Sequence, residues 1–257
     1  MSPLPLQGKK CLITRQSDQA KELIEMVNRF GGIPISIPLI SFRPTELSEK
    51  DRIRIEQLYS YDWLVVTSQN GVNYFFERMK ELHFSLPEKL KIAAVGMKTK
   101  AALEKHGLHA DLIPENFTGD DLAHTLRKYV STNERVLIVK GNLARDVIYK
   151  ELIANGIKAE EWVVYETFFP EESKDKLIET MKNNHLDILI FTSPSTVEHF
   201  METINEQQLS HKIKDSLIAC IGPITKRKAE SYGLTVSICP TVYTIEQLMQ
   251  DLIQTIT

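Results

Sequence analysis

Cysteine is scarce in this chain, and its placement gives no sign of a disulfide framework or a zinc site. The three cysteines, Cys11, Cys220 and Cys239, are far apart and lie in apolar, strand-like runs. A structural zinc site needs ligands paired at short spacing, such as C-x-x-C, together with a second pair. We therefore expect three reduced, buried thiols in a cytoplasmic protein and no metal site.

An excess of basic residues and a long hydrophobic run are also missing. Lys and Arg number 31 against 34 Asp and Glu, a formal net charge of −3, whereas nucleic-acid binders usually carry a basic face. No apolar run approaches the roughly 18 residues that span a bilayer, and the first residues do not resemble a secretory signal. The sequence therefore predicts no nucleic-acid partner, no membrane association and a cytoplasmic location.

The familiar catalytic signatures are absent as well. The sequence contains no G-x-x-x-x-G-K-[ST] loop, since the run GMKTK has the wrong spacing, and neither G-x-G-x-x-G nor G-x-S-x-G follows a strand. The seven histidines are scattered. Phosphate-loop, dinucleotide and serine-hydrolase chemistry are therefore not indicated.

What the chain does have is an internal repeat. The segment YDWLVVTSQNGVNYFFERM aligns with LDILIFTSPSTVEHFMETI at an offset of 125 residues, and IAAVGMKTKAALEKHGLHADLIPENFTGDDL aligns with IACIGPITKRKAESYGLTVSICPTVYTIEQL at an offset of 126. A weaker third match pairs KKCLITRQSDQAKELIEMVNRFGG with ERVLIVKGNLARDVIYKELIANG. Three matches in the same order at a nearly constant offset indicate a tandem duplication of the whole chain.

Each copy alternates short apolar runs with segments of helical period. This pattern predicts an α/β fold with mainly parallel sheets. Four glycines close helical segments and are expected in the left-handed cap conformation: Gly31, Gly107, Gly156 and Gly233. Two extended segments at equivalent places, PLISFRP and WVVYETFFPEE, leave the domain division open. The copies could separate midway, near Ser131, or these segments could pair as a two-stranded connector between a domain made of both chain ends and a domain made of the middle.

Candidate binding residues gather where strands lead into helices. In open α/β sheets ligands bind beyond the carboxyl ends of the strands, and small or hydroxyl residues at helix starts leave backbone N–H groups for an anion, although the same residues also serve as helix caps. The candidates are Arg15, Thr67, Ser68, Asn70, Gly96, Thr99, Thr118, Gly119, Lys140, Gly141, Asn142, Thr192, Ser193, Ser195, Gly222, Thr225, Tyr243 and Thr244.

Over nearly its whole length the chain resembles uroporphyrinogen-III synthases. The resemblance is carried by CLITR, FTSPSTV with its copy VTSQNGV, VGMKTKAAL, IGPITKRKAESYGL, ENFTGDDLAHTL, VLIVKGNLARDVIYKELIANG and WVVYET. It implies two flavodoxin-like domains joined by a two-stranded β-ladder. On this basis we expect one domain at 1–38 plus 169–257, the other at 42–164, and connector strands at about 37–43 and 162–169.

The resemblance also implies an activity. Such a lyase closes hydroxymethylbilane, a linear tetrapyrrole, to uroporphyrinogen III in heme and siroheme biosynthesis, losing water and inverting ring D through a spiro-pyrrolenine intermediate. It implies no cofactor, a monomer, and a transient contact with hydroxymethylbilane synthase. Tyr165 matches the tyrosine thought to help the hydroxyl group leave, Thr99 and Thr225 match cleft threonines, and Ser68 and Ser193 match the serines of the Thr-Ser junctions. The first copy has TSQN where TSP is common, which puts a contact through Gln69 and Asn70 in doubt.

Two other classes of protein share parts of this pattern. A two-lobed ligand-binding module would have the same duplication, but such modules are usually secreted. A response-regulator-like protein would need an acidic cluster after the first strand, whereas this strand ends in Thr14 and Arg15.

Overall fold

The computed structural model describes residues 4–256, which divide into two compact units. Unit 1 contains the chain through Ser41 and again from Phe168 onward, and unit 2 contains Phe42–Thr167. Each unit therefore takes about the first third of one repeat and the remaining two thirds of the other. The domain boundaries expected from the sequence, and the role of the paired segments as a connector, stay predictions.

Ten strands and ten α-helices make up the two units. The strands are β1 (Lys10–Ile13), β2 (Ile33–Ser36), β3 (Ser41–Pro44), β4 (Trp63–Val66), β5 (Lys91–Ala94), β6 (Arg135–Gly141), β7 (Lys158–Phe168), β8 (Ile188–Phe191), β9 (Leu217–Cys220) and β10 (Val236–Ile238). The helices are α1 (Ser17–Arg29), α2 (Glu49–Glu56), α3 (Gln69–Glu81), α4 (Met97–Glu104), α5 (Gly119–Tyr129), α6 (Val147–Ala154), α7 (Glu171–Asn183), α8 (Pro194–Glu206), α9 (Pro223–Ser231) and α10 (Ile245–Ile256). These counts refer to the described residues, which also include two short 3₁₀ turns at Leu58–Ser60 and Ser210–Ile213.

Unit 1 is a parallel sheet in the order β10-β9-β8-β1-β2. Numbered by position within the unit, this is the doubly wound order 2-1-3-4-5. Unit 2 has the order β3-β7-β6-β4-β5, and the β7-β6-β4-β5 part is parallel. If β6, β7, β4 and β5 are numbered 1 to 4, their order in the sheet is 2-1-3-4. A parallel bridge between Ala93 and Leu112 takes the place of the fifth strand. The α/β fold with parallel sheets is confirmed.

The sheets are covered by helices on both faces. Strands β4 and β8 are buried along their whole length, as expected for strands in a parallel sheet. Each unit has two apolar clusters, one on each face of its sheet. In unit 2 one cluster contains Leu64 and the other contains Val65. In unit 1 one cluster contains Leu12 and the other contains Ile13. All four helix-closing glycines have φ between +75° and +83°, so the predicted left-handed caps are confirmed.

Strand β3 lies at the edge of unit 2, against the second half of β7. Arg43 donates to Glu166 at 2.9 Å, and the backbone N–H of Thr45 donates to the carbonyl of Val164 at 3.2 Å. Because the partner number falls as the number on β3 rises, this edge pair is antiparallel. The two extended segments are therefore neighbours over this stretch.

In each unit, one aspartate side chain accepts a backbone hydrogen bond at the amino end of the sheet. Asp187 accepts a hydrogen bond from the backbone N–H of Lys10 at 2.9 Å, and Asp62 accepts one from that of Arg135 at 2.9 Å. The two aspartates correspond in the repeat, at an offset of 125. Burial opposes ionisation of Asp187, but the hydrogen bond from Lys10 and the contact with Lys9 outweigh it, so its pKa is lowered.

We expect Asp187→Asn to lower the free energy of unfolding by about 1 kcal/mol at neutral pH. The amide keeps an acceptor oxygen but loses the charge, and charged hydrogen bonds are stronger than neutral ones by roughly this amount. Because the folded pKa of Asp187 is lowered, the difference from wild type should be present above the ordinary pKa of aspartate and vanish as the pH falls through the folded value. Urea titrations at several pH values measure it, and a difference that grows towards acid would contradict it.

Candidate active site

The parallel strands of each unit all end at one edge of their sheet, and the predicted binding residues lie at that edge. In unit 2 the residues that follow β4, β5 and β6 begin at Thr67, Val95 and Asn142. Tyr165 lies on β7 at the same edge, because it pairs with Gly141, the last residue of β6. The edge thus brings together residues that are nearly 100 positions apart in the chain.

Tyr165 is held within the apolar cluster of unit 2 and only 8% of its surface is exposed. Its ring stacks on Tyr74 at 5.4 Å between centroids and meets the edge of Phe42 at 5.8 Å. Below it lies Gly141: a Cβ atom added there would be 2.4 Å from Cζ of Tyr165 and 2.7 Å from its hydroxyl oxygen. Any side chain at position 141 would therefore clash with the Tyr165 ring in this position.

A bulge in β7 decides which face of the sheet Tyr165 occupies. Lys140 pairs with Val163, but the next residue of β6, Gly141, pairs with Tyr165, so Val164 is the extra residue. Trp162, Val164 and Tyr165 all join the same apolar cluster. Strict alternation would place Tyr165 on the opposite face from Val164, and bulges near functional sites commonly redirect a side chain in this way.

Ser68 connects Tyr165 to the start of α3. Its hydroxyl oxygen accepts the backbone N–H of Gly71 at 2.9 Å and lies 3.1 Å from the hydroxyl oxygen of Tyr165. Thr67, just before it, donates to the carbonyl of Val139 at 3.3 Å. Because Ser68 accepts from Gly71, its own proton is available for Tyr165, and the Tyr165 proton can then point elsewhere.

Of the candidates at the end of β6, one points back into the protein. The ammonium group of Lys140 forms an ion pair with Glu161 at 2.9 Å, and its side chain is 7% exposed. To bind a substrate carboxylate it would have to release Glu161. Asn142 is tied to β7, because its side-chain oxygen accepts the N–H of Thr167 at 2.8 Å. Together these bonds fix the loop after β6 beside Tyr165.

The loop after β5 and the start of α5 contain the remaining candidates of unit 2. Gly96 is the N-cap residue of α4, and Thr99 in that helix is buried. Thr118 caps α5 by accepting the N–H of Asp121 at 3.1 Å. A Cβ added to Gly119 would be 3.3 Å from Val147. Thr118 thus fills the structural role of a cap, and Thr99 offers little accessible surface.

Unit 1 repeats much of this arrangement, but among the described contacts no tyrosine bonds to Ser193, the counterpart of Ser68. Ser193 caps α8 by accepting the N–H of Thr196 at 3.3 Å, and its oxygen lies 3.4 Å from that of Ser195. Thr192 is half-buried beside it. Arg15 donates to Gln19 at 3.1 Å. The position that corresponds to Tyr165 through the repeat lies in the segment after β2, which provides no partner for Ser193 among the described contacts.

The last strands of unit 1 carry the counterparts of the β5 loop. Gly222 is the N-cap residue of α9, and Thr225 is buried in that helix. Thr244 accepts the N–H of Gln247 at 3.2 Å at the start of α10. These three residues match Gly96, Thr99 and Thr118 at an offset of 126. The aligned residues of the two copies therefore have equivalent places at the helix starts of the two units.

Several residues near the candidates were not identified from the sequence. Tyr74 and Phe42 hold the Tyr165 ring, Glu161 neutralises Lys140, and Phe117 lies over Gly96. Burial, with Glu77 and Tyr165 adding to it, raises the pKa of Tyr74. Of these residues, only Phe117 could have been identified from the sequence, because it aligns in the repeat with Tyr243, which is one of the candidates.

Other features of the described residues lie away from this edge. A cavity of about 560 Å³ in unit 1 is lined by Leu217, Tyr232 and Thr235, among others, at the amino ends of β9 and β10. The cysteines are free thiols; Cys11 and Cys220 are buried, which raises the pKa of each to about 12, and Cys239 is half-buried. In residues 4–256 no cluster of three His, Cys, Asp or Glu could hold a metal ion, and no helix there is long and apolar enough to cross a membrane.

Comparisons with known proteins agree with one another. The family model "Uroporphyrinogen-III synthase HemD" matches residues 21–250. A porphyrin biosynthesis protein HemD from Ruminiclostridium josui is 33% identical over 97% of this chain, which spans 49% of that protein. A putative uroporphyrinogen-III synthase from Methanocaldococcus jannaschii is 30% identical, covering 94% of this chain and 96% of the relative.

Solved structures share the fold at lower identity. A mutant uroporphyrinogen III synthase from the extremely thermophilic bacterium Thermus thermophilus superposes with a TM-score of 0.68 at 16% identity, covering 96% of this chain and 98% of the other. The corresponding protein from Helicobacter pylori 26695 gives a TM-score of 0.58 at 17% identity, with 98% and 100% coverage.

Proposed function

This chain belongs to the uroporphyrinogen-III synthase family, and we propose that it closes hydroxymethylbilane to uroporphyrinogen III, losing water and inverting ring D. The observation that carries the proposal within this structure is the hydroxyl pair of Ser68 and Tyr165, 3.1 Å apart at the carboxyl edge of unit 2. It provides a proton donor held in one place, next to loops rich in backbone N–H groups.

Tyr165 is proposed as the general acid of the first step. The substrate loses its terminal hydroxyl group, and a proton delivered to that oxygen lets it leave as water. The N–H of Gly71 donates to Ser68, and Ser68 can donate to the Tyr165 oxygen. Each bond in such a chain polarises the next, so Tyr165 becomes a better donor to a group outside the chain.

The remaining task of the site is positioning. After water is lost, the electron-poor ring A carbon is attacked by ring D at its substituted carbon, which gives a spiro-pyrrolenine. Breaking and re-forming this linkage at the other position inverts ring D, and loss of a proton completes the ring. Pyrrole chemistry supplies the reactivity, and closure without enzyme gives the uninverted isomer I. The protein must therefore hold the chain so that the spiro path is followed.

The eight carboxylates of the substrate are proposed to bind at the helix starts. Backbone N–H groups at such positions favour anions. The proposed contacts in unit 2 are Thr67, Ser68, Gly96, Thr99, Thr118, Gly119, Lys140, Gly141 and Asn142, and those in unit 1 are Arg15, Thr192, Ser193, Ser195, Gly222, Thr225 and Thr244. Thr99, Thr225 and Lys140 are buried in this structure, so a change of local structure must accompany any contact they make.

A coupled assay tests the activity. Hydroxymethylbilane is generated in situ from porphobilinogen by its synthase, the chain is added, and the oxidised uroporphyrin isomers are separated by chromatography. Mostly isomer III is expected. Isomer I alone, from protein with an α/β circular dichroism spectrum, would overturn the proposal and favour a two-lobed ligand binder.

We expect removal of metal ions to leave the rate unchanged, because the proposed chemistry needs only a proton donor and positioning groups. The purified chain is dialysed against EDTA and assayed in the same way. Its rate of isomer III formation should stay within twofold of the untreated protein. A larger loss that is restored by adding one divalent metal would contradict the proposed mechanism.

We further propose that the chain acts as a monomer in the cytoplasm and contacts hydroxymethylbilane synthase transiently, since its substrate is unstable. Sedimentation velocity reports the oligomeric state. Contact with the synthase should lower the fraction of isomer I at a fixed ratio of the two enzymes, and an inert protein added as a crowding agent should not reproduce this effect.

A further inference from the structure

An aromatic side chain lies against a helix-starting glycine in each unit. A Cβ atom added to Gly96 would be 3.1 Å from Cβ and 3.5 Å from Cγ of Phe117, and one added to Gly222 would be 3.4 Å from the ring of Tyr243. The aromatic residues correspond in the repeat, as do the glycines, both at an offset of 126. The same aromatic–glycine contact therefore occurs twice, at the carboxyl edges of β5 and β9.

Both aromatic residues are exposed to solvent over more than half of their surface. Phe117 is 53% exposed and Tyr243 is 60% exposed. Phe117 also has φ of +53°, a backbone conformation that bulky residues rarely adopt. Phe117 thus combines an unfavourable backbone conformation with an exposed apolar side chain.

Helix capping does not account for this placement. A hydrophobic residue before the N-cap often packs on the residue four positions into the helix, which is Leu122 for Phe117 and Leu248 for Tyr243. Both leucines are fully buried. A residue that served this purpose would itself be largely covered, whereas Phe117 and Tyr243 are each more than half exposed.

We propose that Phe117 in unit 2 and Tyr243 in unit 1 each stack on a pyrrole ring of the bound tetrapyrrole. This inference rests on the proposed function. Pyrrole rings are flat and electron-rich, and aromatic side chains bind such rings by offset stacking or edge contacts. The absence of a Cβ at Gly96 and Gly222 lets the aromatic side chain approach the backbone closely, and each aromatic residue keeps more than half of its surface exposed. The two residues are positioning residues: they orient substrate rings and exchange no proton.

The test compares ring-removing with ring-keeping variants. Phe117→Asn removes the ring while tolerating the left-handed backbone, and Phe117→Tyr keeps it; Tyr243→Ala and Tyr243→Phe form the matching pair. Tyr129→Ala, an equally exposed tyrosine at the end of α5, is the control. In the coupled assay we expect KM for hydroxymethylbilane to rise about 5-fold in each ring-removing variant, with kcat within twofold and the ring-keeping and control variants like wild type.

A binding measurement separates this inference from the proposed function. Titration of wild type and variants with uroporphyrin III, followed by porphyrin fluorescence, needs no catalysis. We expect Kd to rise about 5-fold for Phe117→Asn and for Tyr243→Ala. If wild type forms only isomer I but these Kd changes are found, the activity is wrong and the stacking inference stands. If wild type forms isomer III while KM and Kd are unchanged in both variants, the stacking inference is wrong.

Urea unfolding gives a further check. Loss of a stacking contact to substrate should leave the unfolding midpoint of Phe117→Asn unchanged or slightly raised, since a strained backbone is relieved. A lower midpoint for Phe117→Asn, with normal KM and Kd, would assign the Phe117 side chain to helix capping and overturn the inference.

Discussion

Gly141→Ala is expected to slow formation of isomer III about 100-fold while leaving a folded protein. The added Cβ would be 2.4 Å from Cζ of Tyr165, far inside the contact distance of two carbon atoms. The Tyr165 ring cannot slide aside freely, because Tyr74 stacks on it and Phe42 meets it edge to face. It must leave its position, and displacement of a catalytic group by about 1 Å can cost about 100-fold in rate.

The control for this variant is Gly156→Ala, at the end of the helix that follows β6. Gly156 has φ of +76°, so alanine there strains the backbone and lowers stability by about 1 kcal/mol. Its activity per folded molecule should equal that of wild type. A comparable rate loss in both variants would show that Gly141→Ala acts through general destabilisation and not through Tyr165.

A double-mutant cycle identifies the route of the Gly141→Ala effect. In a Tyr165→Leu background the ring that clashes with the new methyl group is gone, so Gly141→Ala should lower the remaining rate by less than twofold. Residues in contact give such non-additive effects, whereas independent residues give additive ones. A further loss near 100-fold would mean that the added methyl group acts independently of Tyr165, for example by blocking the substrate directly.

Tyr165→Phe is expected to lower kcat for isomer III at least 10-fold, about 1.4 kcal/mol in activation free energy. The ring, its stacking on Tyr74 and its contact with Phe42 are kept, and only the hydroxyl group that bonds to Ser68 is removed. The free energy of unfolding should change by only about 1 kcal/mol, the usual contribution of one neutral hydrogen bond. The product should also contain more isomer I, since slower enzymatic closure leaves more substrate to close without enzyme.

Tyr61→Phe is the matched control for Tyr165→Phe. Tyr61 is also a buried tyrosine of unit 2, but it precedes β4 and so lies at the amino end of the sheet. Its variant should have wild-type kcat and isomer composition. If Tyr165→Phe also keeps the wild-type kcat, the leaving hydroxyl group receives its proton from another source, and Tyr165 has only a packing role.

The predicted fold follows from local signals that repeat along the chain. Fully apolar four-residue runs such as those of β4 and β8 favour burial on both faces, as in a parallel sheet between two helical layers. Glycines at helix ends, Gly31 among them, have the positive φ that their position required. These signals act over a few residues, so the sequence alone was sufficient to identify them.

The site was predictable residue by residue but not as an arrangement. Ser68, Gly141 and Tyr165 each stand at a strand end that the sequence marks, yet nothing local places the hydroxyl groups of residues 97 positions apart at 3.1 Å. Lys140 was expected to contact an anion because it follows an apolar strand. Its ion pair with Glu161 depends on the neighbouring strand and its register.

By itself, the sequence indicated the parallel α/β fold and the type of residue at each strand end, because these depend on local composition and period. It also indicated the internal repeat, through aligned segments, and the family, through the resemblance of its motifs. The tertiary structure alone decided which strand ends are neighbours and which face Tyr165 occupies. The physical reason is the register of β6 with β7: strict alternation would direct Tyr165 away from Val164, and one bulge places both on the same face. Such a shift arises from packing between strands and leaves no mark in the residues of either strand.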